Sequence, residues 1–255
     1  MYDLERILRE TFLARAEFLE CVDSTNNRAA QAATDGGLLP FLIAARRQSA
    51  GRGRGLHRWW TGPGALAFSL ALAPETMGVD RRRTPMASLA VGVAVVEAVA
   101  SWLPIGAVGL RWPNDVLASD RKLCGILVEV LPNGRYVIGI GVNTDNTMTD
   151  APPELQSVAT TLRDLTGRRF DPTESLLAVL HSLDRVFAEL RAHPETVAAR
   201  ADGLCWQRGQ RLAFQQGDRR IDGRCVGVAS DGALLLETSS GVAPIYTGTP
   251  VDVES

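Results

Sequence analysis

From about Gly203 to the end of the chain no helix-length segment remains. Strand-length stretches alternate there with Gly217-Asp218, Asp222-Gly223, Asp231-Gly232 and Gly241. About fifty residues of short strands joined by tight glycine turns predict a small β-barrel. This break divides the 255 residues into a larger unit, 1–203, and a smaller one, 204–255. The larger unit mixes helices and strands without strict βαβ alternation, so it predicts an α+β fold on a mixed or antiparallel sheet rather than a doubly wound one.

Within the larger unit, Leu4, Ile7, Leu8 and Phe12 fall at helical spacing and predict a short amphipathic helix over 3–13. Residues 16–22 read as a strand, and Asp23-Ser24-Thr25-Asn26 offers N-cap candidates for an alanine-rich helix ending at Gly36-Gly37. Phe41–Ala45 reads as a buried strand, 46–64 as a Gly- and Arg-rich loop, and Leu66, Phe68, Leu70 and Leu72 as an alternating strand. A small-residue helix over 85–102 and strands near 107–111, 123–130 and 135–142 follow. Asp171-Pro172-Thr173-Glu174 combines a capping Asp, Pro in the first turn and Glu three residues on, which starts a long helix.

With 45% hydrophobic and 22% charged residues the chain can bury a full core, which excludes wholesale disorder. No apolar run reaches the ~18 residues of a membrane span. Met1-Tyr2-Asp3-Leu4-Glu5-Arg6 is acidic and amphipathic, unlike a secretory leader, and the expectation is a cytoplasmic protein without membrane attachment. Cys21, Cys124, Cys205 and Cys225 contain no CxxC pair, and His57, His181 and His193 show no metal spacing, so neither a zinc site nor a disulfide framework is expected. No Gly-x-Ser-x-Gly elbow is present, and the one lysine is preceded by Arg121 and followed by Leu123, which excludes a P-loop. Gly139-Ile140-Gly141-Val142-Asn143 lacks the third glycine of a dinucleotide fingerprint.

Two features of charge point to an anion. Residues 36–74 contain no acidic residue but hold Arg46, Arg47, Arg52, Arg54 and Arg58, in a chain whose net charge is −2. A solvated basic loop is the alternative reading. Of the 27 basic residues only Lys122 is lysine, which suggests a position where a compact ammonium fits and a planar guanidinium does not.

Gln48-Ser49-Ala50-Gly51-Arg52-Gly53-Arg54-Gly55 has alternate glycines that let backbone N–H groups approach a phosphate, with forked guanidinium donors between them. Trp59 and Trp60 follow, suited to cover an aromatic base or an apolar ligand. Arg111-Trp112-Pro113-Asn114-Asp115 ends a strand in a turn that presents two polar side chains, and Lys122-Leu123-Cys124-Gly125 places the lysine at the mouth of the next strand.

Together these segments resemble the biotin protein ligases. Ser24-Thr25-Asn26, Gly51-Arg52-Gly53-Arg54 with Trp59, Trp112-Pro113-Asn114-Asp115, Lys122-Leu123-Cys124-Gly125-Ile126-Leu127 and Gly139-Ile140-Gly141-Val142-Asn143 stand in that family's order and spacing, from about residue 17 to the end. The loop departs from the family in reading Gly55-Leu56-His57-Arg58-Trp59. The resemblance implies a mixed-sheet, class II synthetase-like catalytic domain followed by an SH3-like barrel. It implies activation of biotin by ATP, with Mg²⁺, to biotinyl-5′-adenylate, and transfer to one lysine of a biotin carboxyl carrier domain. By the same resemblance Ser24, Thr25, Asn26, Gln48, Gly51, Arg52, Gly53, Arg54, Lys122 and Gly125 hold biotin. Arg52, Arg54, Trp59, Asn114, Lys122 and Asn143 hold the nucleotide, and Arg54, Lys122 and Asp115 carry the chemistry.

Few residues precede the first matching strand, so the resemblance is to a form lacking the winged-helix repressor domain. Asp3, Glu5, Glu10 and Glu17 outnumber Arg6, Arg9 and Arg15 at the start, and Arg219, Arg220 and Arg224 are offset by Asp218, Asp222 and Asp231, so no nucleic acid is expected as partner. Two rivals are a lipoate or octanoate ligase of the related fold and a non-catalytic binding module. The Gly-Arg-Gly-Arg loop and Trp-Pro-Asn-Asp segment favour biotin. Whether the chain acts alone or as a homodimer is left open by the motifs.

Overall fold

Two sheets organise the molecule in the computed structural model, which describes residues 2–78 and 84–253. The first holds β1 (Arg15–Leu19), β2 (Phe41–Ala45), β3 (Leu66–Leu72), β4 (Val108–Arg111), β5 (Asp115–Ala118), β6 (Arg121–Val130) and β7 (Tyr136–Val142). Their order is β1-β2-β3-β7-β6-β5-β4. β1 and β2 run parallel and the other neighbours antiparallel, so the sheet is mixed and the α+β expectation holds.

Both faces of β2 are covered, which is why Phe41–Ala45 is apolar at every position. Alternation in β2 turns Phe41 and Ile43 toward Ala29, Ala32 and Ala33 of α2 (Thr25–Thr34), while Leu42 and Ala44 join the main core. That core is roofed by α4 (Thr84–Ala100), α7 (Pro172–Ala192) and α8 (Pro194–Gly203), numbered after α1 (Leu4–Glu10), α3 (Pro74–Met77), α5 (Pro153–Gln156) and α6 (Leu162–Thr166). α7 starts as its sequence predicts, with the Asp171 carboxylate accepting the N–H groups of Thr173 and Glu174. Glu97 of α4 pairs with Arg185 of α7 and Arg200 of α8, and Arg200 also reaches Glu189, so one ionic cluster joins the three helices.

The first helix is shorter than predicted. It ends at Glu10 because Thr11 is extended, with φ −131° and ψ 172°. β1 likewise stops at Leu19, leaving Val22 only an isolated bridge to Gln48. β5 was hidden from the sequence reading, because its hairpin with β6 turns through Ser119 and Asp120 at φ 49° and 62° without the glycine that usually marks such a turn. The helix α8 lies outside the span of the expected elements, starting at Pro194 directly after His193 ends α7.

The second sheet joins β8 (Arg211–Gln216), β9 (Arg219–Val228), β10 (Leu234–Thr238), β11 (Gly241–Ile245) and β12 (Thr249–Val251), all antiparallel, in the order β11-β10-β9-β8-β12. Its Asp231-Gly232 turn is pressed onto α4. A Cβ at Gly232 would lie 2.8 Å from the Met86 backbone nitrogen, and φ there is +92°. Trp112 locks this junction from the other side, donating its indole N–H to the Gly232 carbonyl at 3.0 Å and standing edge-on to Phe214 at 5.7 Å. Trp112 is 4% exposed. Trp112→Ala should therefore lower unfolding stability in urea by about 3–5 kcal/mol. A loss below ~1 kcal/mol would show that the sheets are held together elsewhere.

The stretch that leads into β8 carries a second checkable feature. Cys205 lies beside Leu110 of β4 and its Sγ is 3.9 Å from Cys225 Sγ on β9. With Cys225 as donor, this contact pulls the Cys205 thiol below its ordinary value and pushes Cys225 up, while burial pushes Cys124 up. More thiolate at neutral pH means faster alkylation. Iodoacetamide at pH 7.5 should label Cys205 at least about tenfold faster than Cys124 or Cys225, by peptide mass mapping. Equal rates would contradict the hydrogen-bonded arrangement.

Candidate active site

The floor of the site is made by glycines on β6 and β7, neighbouring strands of the first sheet. Gly125 of β6 stands opposite Gly141 of β7, and Gly139 opposite Leu127 and Ser69. A Cβ at Gly141 would sit 2.3 Å from the Trp59 indole and one at Gly125 3.0 Å from it, so the ring lies on bare backbone. A Cβ at Gly139 would meet Asn26 Oδ1 at 2.1 Å. The glycines that resemble part of a dinucleotide fingerprint thus let two side chains descend onto the sheet.

One wall is the first turn of α2. Ser24 is its N-cap residue, but its side chain makes no capping bond. Thr25 turns instead to the loop beyond β2, its N–H and Oγ1 both donating to Gln48 Oε1 at 2.8 and 3.1 Å. Gln48 Nε2 donates to Thr61 Oγ1 at 3.1 Å, and Ser69 Oγ lies 2.7 Å from Thr25 Oγ1 and 2.6 Å from Asn26 Oδ1. Ser24, Thr25, Asn26 and Ser69 are at most 3% exposed. A buried polar chain with its members paired in this way holds each rotamer fixed.

The opposite wall is the Gly-Arg segment, which folds into a small hairpin. Arg52 bridges Arg58, Gly53 N–H donates to the His57 carbonyl at 2.8 Å, and Gly55 turns the tip at φ +64°. Leu56 at the tip is fully exposed. Gly51 fits under Trp59, where a Cβ would lie 2.4 Å from the Trp59 carbonyl oxygen. Arg52 donates to both carboxylate oxygens of Glu129, and Arg54 reaches across to Thr247 Oγ1 at 3.1 Å, between β11 and β12.

Lys122 stands at the end of the floor. Its Nζ is 2.6 Å from Asp115 Oδ1 and 5.8 Å from the centroid of the Trp59 ring. Asp115 faces Arg111 on β4 and Gly125 on β6, and its Oδ2 accepts from Arg111 at 2.6 Å. One carboxylate so fixes two cations at the mouth of β6. Asn114 closes the same corner, its Nδ2 donating to the Ile126 carbonyl at 2.7 Å and its carbonyl accepting from Ile126 N–H. Cys124 next to the lysine is wholly buried, its thiol held protonated by desolvation.

These walls enclose a cavity of about 1090 Å³. Ser24, Thr25, Asn26, Gln48, Arg52, Gly53 and Arg54 line it, as do Trp59, Asn114, Asp115, Lys122 and Gly125. Gly51 and Asn143 are not among its lining residues. Asn143 is buried, its Oδ1 accepting from Asn146 Nδ2 at 3.2 Å and its N–H donating to the Leu123 carbonyl. Two groups of residues escaped the sequence reading. Gln215 and Gln216 of β8, Thr247 between β11 and β12, and Gln207 and Gln210 just before β8 bring the C-terminal part of the chain to the cavity, and no spacing marks them. Glu129 is a lone carboxylate in the apolar stretch of β6 that follows Lys122, which gives no periodic signal either. No helix among the described residues is long and apolar enough to cross a membrane.

Residues 18–145 match the biotin/lipoate A/B protein ligase family, and residues 209–249 the biotin protein ligase C-terminal domain. The chain is 31% identical to the biotin--[acetyl-CoA-carboxylase] ligase of Mycobacterium tuberculosis over 260 residues, covering 97% of this chain and 94% of that one. It is 28% identical to the bifunctional ligase/repressor BirA of Bacillus subtilis, over 89% of this chain and 71% of that one. The biotin protein ligase of Aquifex aeolicus, solved in complex with biotin and ATP, superposes with a TM-score of 0.81 at 28% identity, over 93% and 98% of the two chains.

Proposed function

The chain belongs to the biotin/lipoate A/B protein ligase family, and from that membership and the cavity we infer that it activates biotin with ATP and transfers it to a carrier protein. It is a biotin ligase. The observation that carries the reading is one cavity in which the Thr25-Asn26-Gln48 network faces the Gly-Arg hairpin, with Lys122 and Trp59 between them.

Adenylation brings the biotin carboxylate onto the α-phosphate of ATP and expels pyrophosphate. Two anions must meet, so donors fixed in advance lower the barrier. In this reading Ser24, Thr25, Asn26 and Gln48 hold the head of biotin, with Gly139 leaving room for Asn26. Lys122 places its ammonium between the carboxylate and the α-phosphate, with Asp115 holding Nζ in place. Arg52 and Arg54 bring two guanidiniums from the hairpin, and the Gly53 backbone lets the phosphates come close. Trp59 covers the adenine and Asn114 shapes the corner beside it. Gly51 and Asn143 act from behind the cavity wall, one seating Trp59 and the other fixing the end of β7. In the second step a lysine amine of a biotin carboxyl carrier domain attacks the acyl carbon, AMP leaves, and Asp115 is the nearest carboxylate to take the amine's proton.

Mg²⁺ enters this reading only with ATP. The described residues include no cluster of three His, Cys, Asp or Glu side chains. Asp115 is paired with Lys122 and Arg111, and Glu129 with Arg52. The side chains present do not form a magnesium cage, and a magnesium ion would be carried by the phosphates.

Exchange of labelled pyrophosphate into ATP tests the first step. The exchange should depend on added biotin. Exchange driven by lipoate or octanoate instead would favour the sister activity, and exchange with none of the three acids would favour a binding module.

A further inference from the structure

Glu129 lies in none of the motifs that mark the site, yet its carboxylate joins the two walls. Oε2 accepts from Asn26 Nδ2 at 2.8 Å and from Arg52 at 3.1 Å, and Oε1 accepts from Arg52 at 2.5 Å. Arg52 also donates to Asn27 Oδ1 at 2.9 Å, so the root of the hairpin is tied to the first turn of α2 at two points. With Nδ2 on Glu129, Asn26 has its Oδ1 on Ser69 and a single orientation over Gly139. The site needs a carboxylate here on chemical grounds. Three N–H groups converge on one side chain, and a carboxylate is the group that accepts them all and donates none.

We propose that Glu129 is a positioning residue for adenylation: it orients the Asn26 amide and anchors the Gly-Arg hairpin through Arg52, so that seating the head of biotin and seating the hairpin over the phosphates are one coupled event. The proposal rests on the biotin-activating reading above. It differs from a simple brace between strand and loop, because a brace sets stability while this carboxylate also sets which atom of Asn26 faces the ligand.

Glu129→Gln is the discriminating change. It keeps the shape and one acceptor but turns an NH₂ group toward either Arg52 or Asn26. In biotin-dependent pyrophosphate exchange with the full chain, the KM for biotin should rise roughly tenfold while kcat stays within about threefold. Trypsin cleavage in the hairpin, at Arg54 or Arg58, should be slowed by saturating biotin in the unaltered protein and not in Glu129→Gln. Glu129→Asp keeps the charge one methylene short and should give an intermediate KM, which preserves the test if Glu129→Gln fails to fold. A biotin KM within about threefold of the unaltered protein in both variants, whatever the change in melting temperature, overturns the proposal. The unaltered protein in the same assay separates the two levels. No biotin-dependent exchange there breaks the underlying reading, whereas normal exchange there with an unmoved KM in the variants breaks this inference alone.

Discussion

Lys122→Arg should lower biotin-dependent adenylate formation by roughly 10³-fold, although the charge is kept. The ammonium occupies a narrow place. Its Nζ is 2.6 Å from Asp115 Oδ1, its stem runs 3.2 Å from where a Cβ on Gly125 would stand, and the Trp59 ring closes the side. A guanidinium is planar and wider, and its fork matches a carboxylate in two-pronged fashion. Arg111 already holds Asp115 Oδ2 at 2.6 Å. A second guanidinium would compete with Arg111 for that carboxylate or push Trp59 from its glycine floor, and in either case the compact cation is lost from its place beside the reacting carboxyl. The chain has arginine at every other basic position, so the retention of one lysine here is a matter of shape. Folding should be little affected, because Lys122 is partly exposed and its backbone pairing survives. An exchange rate within about tenfold of the unaltered protein would show that any cation serves at this position.

The second large effect is expected at a residue with no side chain. Gly139→Ala should weaken biotin binding by roughly 100-fold, read by titration calorimetry. The new methyl would fall 2.1 Å from Asn26 Oδ1 and 2.9 Å from its Cγ. Asn26 cannot simply turn away, because Ser69 holds its Oδ1 and Glu129 its Nδ2. Either the amide leaves its two partners or β7 shifts against β3 and β6, and the head pocket is lost by both routes. The fold should survive, since overpacking a buried position costs about 1–3 kcal/mol. Biotin affinity within about threefold of the original would show that Asn26 is free to move and does not define the pocket.

Both effects trace to features with unequal visibility in the sequence. Lys122 was visible because composition singled it out. Gly139 and Gly141 were visible as an incomplete nucleotide fingerprint and as one motif of the family resemblance, but their actual task, admitting Asn26 and Trp59 to the sheet, depends on contacts between residues more than eighty apart in the chain. Phe41–Ala45 and the capped start of α7 could be read locally, since an all-apolar five-residue run and an Asp-Pro-x-Glu start each have one economical structure. β5 could not, because Ser119 and Asp120 turn a hairpin with left-handed backbone and no glycine. The cavity-lining glutamines at and before β8 and Glu129 could not either. They work by position across elements, and position across elements leaves no periodic trace in a single chain.

The most direct test of the account is the intact mass of a biotin carboxyl carrier domain after incubation with the protein, biotin and ATP. The account predicts a carrier heavier by one biotinyl group on a single lysine, with no change when ATP is omitted and, at matched early times, hardly any gain when Lys122→Arg replaces the unaltered protein. A carrier of unchanged mass under the full mixture, or one that gains a lipoyl or octanoyl group in preference to biotin when all three acids are offered, would contradict it.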